Sequence, residues 1–206
     1  MEKTEPFEIE KKSMQIINER LGKTKLRENE EPVLRNVILK TADFDYADTL
    51  IFGGDAVHSA ISSLERGCGI ITDTRVTLAG IKTNTLKRMG CSLNCYAEDD
   101  DVISEAHRRM TTPEAMGVEK AASNKNNRIF VIGEDFVSLT ELYNLIQNNL
   151  ITPSLIVGAA PGLIGAEDIK ARLTELSIPY IIVKGAKGGS NVAAAVMNGI
   201  IAQIKD

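Results

Sequence analysis

Three aspartates and a tyrosine lie close together in the segment RNVILKTADFDYADTLIF, which covers residues 35–52. Asp43, Asp45 and Asp48 surround Tyr46 between two apolar stretches. A pair of carboxylates in such a cluster can divide the roles of general acid and general base. The same pattern is more typical of a helix cap followed by a strand, so both interpretations stay open.

Two glycine-rich loops are stronger candidates for binding. The stretch VKGAKGGSNVAAA joins a predicted strand to a predicted helix, and Gly188 and Gly189 there leave backbone N–H groups accessible to a ligand. We predict that Ser190 is the helix N-cap and that Lys187 adds a positive charge. This arrangement favours a carboxylate or a phosphate, and a tight turn before a capped helix is an equal alternative. The loop lacks the residue order of a P-loop.

The stretch VGAAPGLIGAEDIK has the same position between a strand and a helix. Gly162 and Gly165 would let a ligand approach the backbone, although a structural role is favoured for this loop alone. Because parallel strands share one carboxyl edge, we expect the loops of residues 159–165 and 185–190 to converge there. Lys82, after the strand CGIIT, could face the same anion, but a solvated helix face is the simpler interpretation.

The cysteines and histidines do not form a metal-binding pattern. Cys91 and Cys95 are spaced C-x3-C without a third ligand nearby, while His58 and His107 are isolated within helical patterns. A zinc site needs three or four ligands in a defined array, so we expect no metal. Counting Cys68, the number of cysteines is odd, which predicts reduced thiols in a cytoplasmic protein. The sequence also lacks the G-x-S-x-G elbow of serine hydrolases.

Composition limits the class of protein. The 206 residues are 43% hydrophobic, which is enough for one domain over residues 1–206. The sequence has no apolar run of about 20 residues and begins without the apolar region of a signal peptide, so we expect no membrane span. A formal charge of −4 and an aromatic content of 4% argue against nucleic-acid binding.

The periodicity of apolar residues predicts an α/β fold. Before residue 128 we predict several helices, one of them over EIEKKSMQIINERL with an apolar side formed by Ile9, Met14, Ile16, Ile17 and Leu21, and a strand over YADTLIF. After it, three strand–helix units begin with the nearly all-apolar strands RIFVIG, PSLIVG and IPYIIVKG. Such strands are buried on both faces, which indicates a mainly parallel sheet between two helix layers.

These motifs, in this order, resemble the precorrin-8X methylmutases of cobalamin biosynthesis. The resemblance covers residues 7–204 and is carried by Glu10 and Ser13 in an E-x-x-S pattern, by TADFDYADTL and ITDTRVTLAGI, and by PSLIVGAAPGLIGAEDIK and KGGSNVAAAVMNG. It implies a flavodoxin-like sheet, a homodimer, no added cofactor and a reaction that moves a methyl group from C-11 to C-12 of a corrin precursor.

The resemblance also implies which residues contact the substrate. In that family a histidine protonates the macrocycle, while glycine loops hold a large, many-carboxylate substrate. The positions that the resemblance and the loop patterns together nominate for substrate binding are Ser13, Lys82, Thr111, Gly162, Gly165, Lys187, Gly188, Gly189 and Ser190.

Several positions depart from the family pattern. The family's histidine follows an isoleucine in its R-x-I-H pattern, and here Ile38 is followed by Leu39, so Leu39 stands at the place of the histidine and cannot transfer a proton. Its T-R-S is Thr111, Thr112 and Pro113, and its G-N-A-P-T is residues 133–137, GEDFV. The arginine of its G-R-K-G-G-S is Ala186. Two interpretations follow: an isomerase with another acid, or a non-catalytic protein that binds a tetrapyrrole or another polyacid.

Overall fold

Short apolar strands form one six-stranded sheet in the computed structural model, which describes residues 6–204. The strands are β1 (Leu50–Gly53), β2 (Gly69–Thr72), β3 (Ser92–Asn94), β4 (Asn127–Ile132), β5 (Leu155–Gly158) and β6 (Tyr180–Val183). Their order is β1-β6-β5-β4-β2-β3, and only the β1–β6 pair is antiparallel. The five parallel strands have the flavodoxin-like order, in which the first lies between the second and the third.

Helices connect the strands and cover the sheet. They are α1 (Pro6–Leu21), α2 (Glu31–Thr41), α3 (Tyr46–Thr49), α4 (Ala56–Glu65), α5 (Arg75–Gly80), α6 (Asn84–Arg88), α7 (Asp100–Arg109), α8 (Pro113–Ala121), α9 (Phe136–Gln147), α10 (Ala166–Leu173) and α11 (Ser190–Ile201). The three predicted strand–helix units are confirmed as β4–α9, β5–α10 and β6–α11.

Alternating side chains of the central strands form a core on each face of the sheet. On β4, Ile129 and Val131 join the cluster that includes residues of α2, α4 and α11. Phe130 and Ile132 point the other way, into the cluster with residues of α8, α9 and α10. Because successive side chains of the strand point to opposite faces, each face of the sheet packs against its own layer of helices. This confirms the predicted α/β/α architecture. The extent of one domain over residues 1–206 stays a prediction.

Small residues on α11 let α2 approach it closely. A Cβ added at Gly199 would lie 2.9 Å from the Cα of Val33, so the two backbones leave no room for a side chain there. The amide of Asn36 donates to the carbonyl of Ala195 at 2.6 Å and fixes the register of the two helices. This packing determines where the C-terminal end of α2, with Leu39, lies.

Two local predictions in the first half of the chain are confirmed only in part, since α1 is the predicted helix and β1 covers only the end of the predicted strand. YADTLIF is not a strand throughout, because Asp43 Oδ1 accepts from the Asp45 N–H at 2.9 Å and the chain then turns through α3 before β1 begins. On α1, Ile9 and Ile16 are 54% and 59% exposed, whereas Ile17 is buried. The helix packs mainly against α2, which buries a narrower strip than the apolar pattern predicts.

A buried carboxylate joins the ends of β2 and β4. Asp73 follows β2 at the point where the strand order reverses, and it is 1% exposed. Its Oδ2 accepts from three consecutive backbone N–H groups after β4, at 2.7–3.0 Å: those of Gly133, Glu134 and Asp135. These bonds fix the path of the loop between β4 and α9.

The other oxygen of Asp73 holds the beginning of α5. Oδ1 accepts from the N–H of Thr74 at 2.9 Å and from the hydroxyl of Thr77 at 3.1 Å. Burial raises the pKa of Asp73, and the hydrogen bonds that its carboxylate accepts oppose this shift. Asp73 therefore connects two loops that would otherwise be free to move apart.

We expect Asp73→Ala to lower the free energy of unfolding by roughly 3–5 kcal/mol, because several buried donors lose their acceptor at once. Urea denaturation followed by circular dichroism measures this. The matched control is Asp48→Ala, at an exposed position on α3, which should change stability by at most about 0.5 kcal/mol. A loss below about 1 kcal/mol for Asp73→Ala would contradict the structural role assigned to this carboxylate.

Candidate functional site

The two glycine loops lie side by side at the carboxyl edge of the sheet, after β5 and β6. The N–H of Gly162 donates to the carbonyl of Ala186 at 3.0 Å, and the N–H of Gly189 donates to the carbonyl of Ala159 at 2.7 Å. The predicted convergence of these loops is confirmed. We call residues 159–165 and 185–190 together the glycine-loop site.

Gly188 allows the close contact between the loops. Its φ is +153°, and a Cβ there would lie 1.8 Å from the carbonyl oxygen of Ala159. From α10, the ammonium of Lys170 donates to the carbonyl of Lys187 at 3.2 Å. Lys170 is 1% exposed, and burial lowers the pKa of its amine to about 8. The loop of residues 185–190 is thus held from two sides.

The sequence pattern predicts Ser190 as the N-cap of α11, and this prediction is wrong. Ser190 is the first residue of the helix. Gly189 occupies the cap position with φ +125° and offers no side chain. The hydroxyl of Ser190 instead lies 2.8 Å from that of Thr77 and 3.4 Å from that of Thr74, so it is buried against α5. Ser190 therefore joins the glycine-loop site to the segment that Asp73 holds.

A carboxylate of the chain itself lies at the N-terminus of α11. The N–H of Ser190 donates to Oε1 of Glu134 at 3.0 Å. The sequence pattern predicts an anionic ligand at the neighbouring N–H groups of Gly188 and Gly189. Glu134 was not among the predicted site residues, and the only signal for it was the departure of GEDFV from the family's G-N-A-P-T.

Lys187 is neutralised by the acidic cluster with which the sequence analysis began. Its ammonium lies 2.8 Å from Oδ2 of Asp43 and 2.7 Å from Oδ2 of Asp45. These hydrogen bonds raise the pKa of Lys187, and the bond from Lys187 holds the pKa of Asp43 below its usual range. Since Asp43 then stays ionised at neutral pH, it cannot serve as a general acid.

Leu39 and Ser13 line one groove between α1 and α2. The groove has a volume of about 170 Å³ and is otherwise lined by apolar side chains: Ile16, Ile17, Ile38, Ala42 and Phe44. Leu39 is half-buried, and the hydroxyl of Ser13 donates to the carbonyl of Ile9 at 2.8 Å. The structure thus brings these two predicted positions together, in surroundings that favour apolar contact.

Two further predicted positions have mainly backbone roles. Lys82 is exposed, and its N–H donates to the side chain of Asn198, eight residues beyond Ser190, or roughly 12 Å along α11. The structure does not bring Lys82 to the glycine-loop site. The N–H of Thr111 donates to the carbonyl of Ala106 at 3.1 Å and closes α7.

The three cysteines are free thiols. Cys68 and Cys95 are buried, and burial raises the pKa of Cys68 to about 12. Within residues 6–204, no group of three or more His, Cys, Asp or Glu side chains is arranged to hold a metal ion. In the same part of the chain, no helix combines the length and apolar character needed to cross a bilayer.

The sequence matches the family model described as Precorrin-8X methylmutase over residues 8–203. The chain belongs to the precorrin-8X methylmutase family. It is 37% identical to the cobalt-precorrin-8 methylmutase of Leptospira interrogans over 94% of this chain and 91% of that protein. It is 34% identical to the cobalt-precorrin-8 methylmutase of Salmonella typhimurium, covering 98% of this chain and 97% of that one.

Solved structures of a precorrin-8X methylmutase and a related protein superpose on this chain. The precorrin-8X methylmutase of Thermus thermophilus superposes with a TM-score of 0.85 at 25% identity, over 94% of this chain and 96% of that one. A precorrin-8X methylmutase related protein superposes with a TM-score of 0.84 at 27% identity, over 93% and 100% of the two chains. The resemblance inferred from the motifs is therefore confirmed.

Two departures from the methylmutase pattern contact each other. The hydroxyl of Thr112, at the family's arginine position, donates to Oδ2 of Asp135 at 2.7 Å and accepts from the Ala115 N–H at 3.2 Å. Asp135 in turn caps α9 by accepting from the N–H groups of Val137 and Ser138. The loop of residues 133–137, which departs from the methylmutase pattern, is therefore hydrogen-bonded to the start of α8.

We expect Gly188→Ala to lower the free energy of unfolding by about 2 kcal/mol more than Gly185→Ala. Both residues have positive φ, so both variants carry backbone strain, but a Cβ at Gly185 meets no atom within 4 Å. The difference between the two thermal melts, converted to free energy, reports the clash with Ala159 together with the greater backbone strain of an alanine at φ +153°. Equal losses would show that the loops can separate without cost.

Proposed function

We propose that this chain binds a corrin precursor at the glycine-loop site and that its reaction is the family's isomerisation, which moves a methyl group from C-11 to C-12. Family membership supports the class of substrate. The observation that carries the proposed location is the pair of hydrogen bonds that holds the two loops together at the carboxyl edge of the sheet. Ligands of such parallel sheets bind at that edge.

A second candidate function is binding without catalysis. Leu39 has no proton to donate, and the groove around it is mostly apolar. General acid catalysis is typically worth roughly 10²–10⁴-fold, so its loss would slow the methyl migration without preventing substrate binding. Titration of the purified protein with corrin intermediates, followed by absorbance, separates the two functions: a binder gives one immediate spectral change, and an isomerase gives a further change with time.

We further propose a homodimer in the cytoplasm. Leu163 and Ile164, at the tip of the loop of residues 159–165, are 95% and 87% exposed, which is unusual for two adjacent large apolar side chains. A second copy of the chain would bury them. The free cysteines are consistent with a reducing compartment.

We expect Leu39→His to raise the rate of methyl migration in precorrin-8X above that of the native protein, since it supplies a proton donor in the groove between α1 and α2. Adding Ala186→Arg, at an exposed position, and Thr112→Arg should raise it further by orienting the substrate. Thr112→Arg also removes the cap of α8, at a cost of about 1 kcal/mol. Single-turnover absorbance measures the rate of each variant.

The matched control is Leu39→Phe, which changes the same side chain without adding a proton donor and should leave the rate unchanged. Thermal melts of all variants separate lost stability from lost activity. Native turnover in the range of good enzymes, roughly 1–10³ s⁻¹, would show that another residue supplies the acid.

We expect the native chain to sediment as a dimer and Leu163→Asp to raise the dissociation constant at least about tenfold, because a charge would have to be buried at the interface. Leu150→Asp is the matched control: Leu150 is 65% exposed and follows α9, away from the glycine loops. Sedimentation velocity over a concentration series measures both. A native monomer, or an equal effect of the two substitutions, would refute the proposed interface.

A further inference from the structure

The segment that follows α2 connects the glycine-loop site to the groove between α1 and α2. Ala42 and Phe44 line the groove. Between and after them, Asp43 and Asp45 accept hydrogen bonds from the ammonium of Lys187 in the glycine loops. The groove and the glycine-loop site therefore adjoin each other across this short segment, and a large ligand can contact both at once.

Arg20 lies at one end of this groove. Ser13, Ile16 and Ile17 line the groove from α1. Arg20 continues the same face of the helix, because it comes four residues after Ile16 and three after Ile17. Its guanidinium carbon lies 4.0 Å from the centre of the Phe44 ring, so the side chain is held over an aromatic residue that itself lines the groove.

The charge of Arg20 is available to a ligand. The residue is exposed, and no carboxylate within residues 6–204 forms an ion pair with it. By contrast, Arg27 pairs with Glu30, and Arg35 pairs with Glu31. Stacking on a ring uses the face of the guanidinium plane, so the N–H groups along its edge stay free to bind a carboxylate through two parallel hydrogen bonds.

A ligand with many carboxylates needs such a cation, because other positive charges are missing or already paired. The two arginines of the family pattern are absent at Thr112 and Ala186. The lysine of the glycine-loop site, Lys187, is neutralised by Asp43 and Asp45. Positive charge that is opposite the ligand and not paired within the chain contributes both affinity and specificity for a polyacid.

We propose that Arg20 is a specificity-determining residue that binds a peripheral carboxylate of the corrin precursor, while the ring system lies over the apolar groove beside it. The Phe44 ring restricts the guanidinium to one plane, which lowers the entropy lost when the carboxylate binds. This inference depends on the proposed function, because it assumes that a corrin bound at the glycine loops extends over the groove.

The test compares two probes, a cobalt corrin heptacarboxylic acid and its neutral heptamethyl ester, which keeps the ring system and loses the carboxylate charges. Equilibrium dialysis with absorbance gives the dissociation constant of each. Arg20→Gln removes the charge, so it should weaken binding of the acid at least about tenfold and binding of the ester less than about twofold. Arg20→Lys keeps the charge without the planar pair of donors and should give an intermediate affinity for the acid.

Arg128→Gln is the matched control. It makes the same change at another exposed arginine, near the beginning of β4 and therefore at the opposite edge of the sheet from the glycine loops. Its affinity for both probes should stay at the native value. Thermal melts check that each variant is folded, and the exposed position of Arg20 on α1 leaves the core undisturbed.

The outcomes separate this inference from the proposed function. If Arg20→Gln binds the acid as well as the native protein does, weakens acid and ester equally, or loses no more affinity than Arg128→Gln, the role of Arg20 is overturned while corrin binding stands. Failure of the native protein and every variant to bind either corrin refutes the proposed function, and the specificity assigned to Arg20 is then refuted with it.

Discussion

The carboxylate of Asp73 joins the separate chain segments that form the carboxyl edge of the sheet. One oxygen holds the loop after β4 and the other holds the start of α5. Through the hydroxyls of Thr77 and Ser190 the connection continues to the N-terminus of α11. Because a buried carboxylate is costly unless its donors are in place, the fold at this edge forms as a unit.

Chain carboxylates already occupy several groups at this edge that suit a ligand anion. Asp43 and Asp45 pair with Lys187, Glu134 accepts from Ser190, and Asp135 accepts from Thr112. In a family whose reaction acts on a corrin precursor, this internal pairing reduces the positive potential available to the ligand. The scaffold of the methylmutases is retained, and the charge of its binding edge differs from the one that the glycine-loop motifs predict.

Local patterns were sufficient to predict some elements and not others. The strands β4, β5 and β6 are apolar on both faces, which indicated a buried parallel sheet without any knowledge of contacts. β3 is three residues long, and α5 and α6 are one-turn to two-turn helices, too short for periodicity to reveal. The convergence of the glycine loops followed from topology, but the partners of Lys187 and Ser190 depend on tertiary contacts between segments far apart in sequence.

Lys170, beneath the glycine loops, couples folding to the release of a proton. Burial lowers the pKa of its amine from the ordinary 10.5 to about 8, so at alkaline pH the folded chain holds fewer protons at this site than the unfolded chain. By linkage, the contribution of this group to stability rises with pH between these two values and is constant below them. Mildly alkaline conditions therefore relieve the cost of burying this ammonium and favour the folded chain at this site.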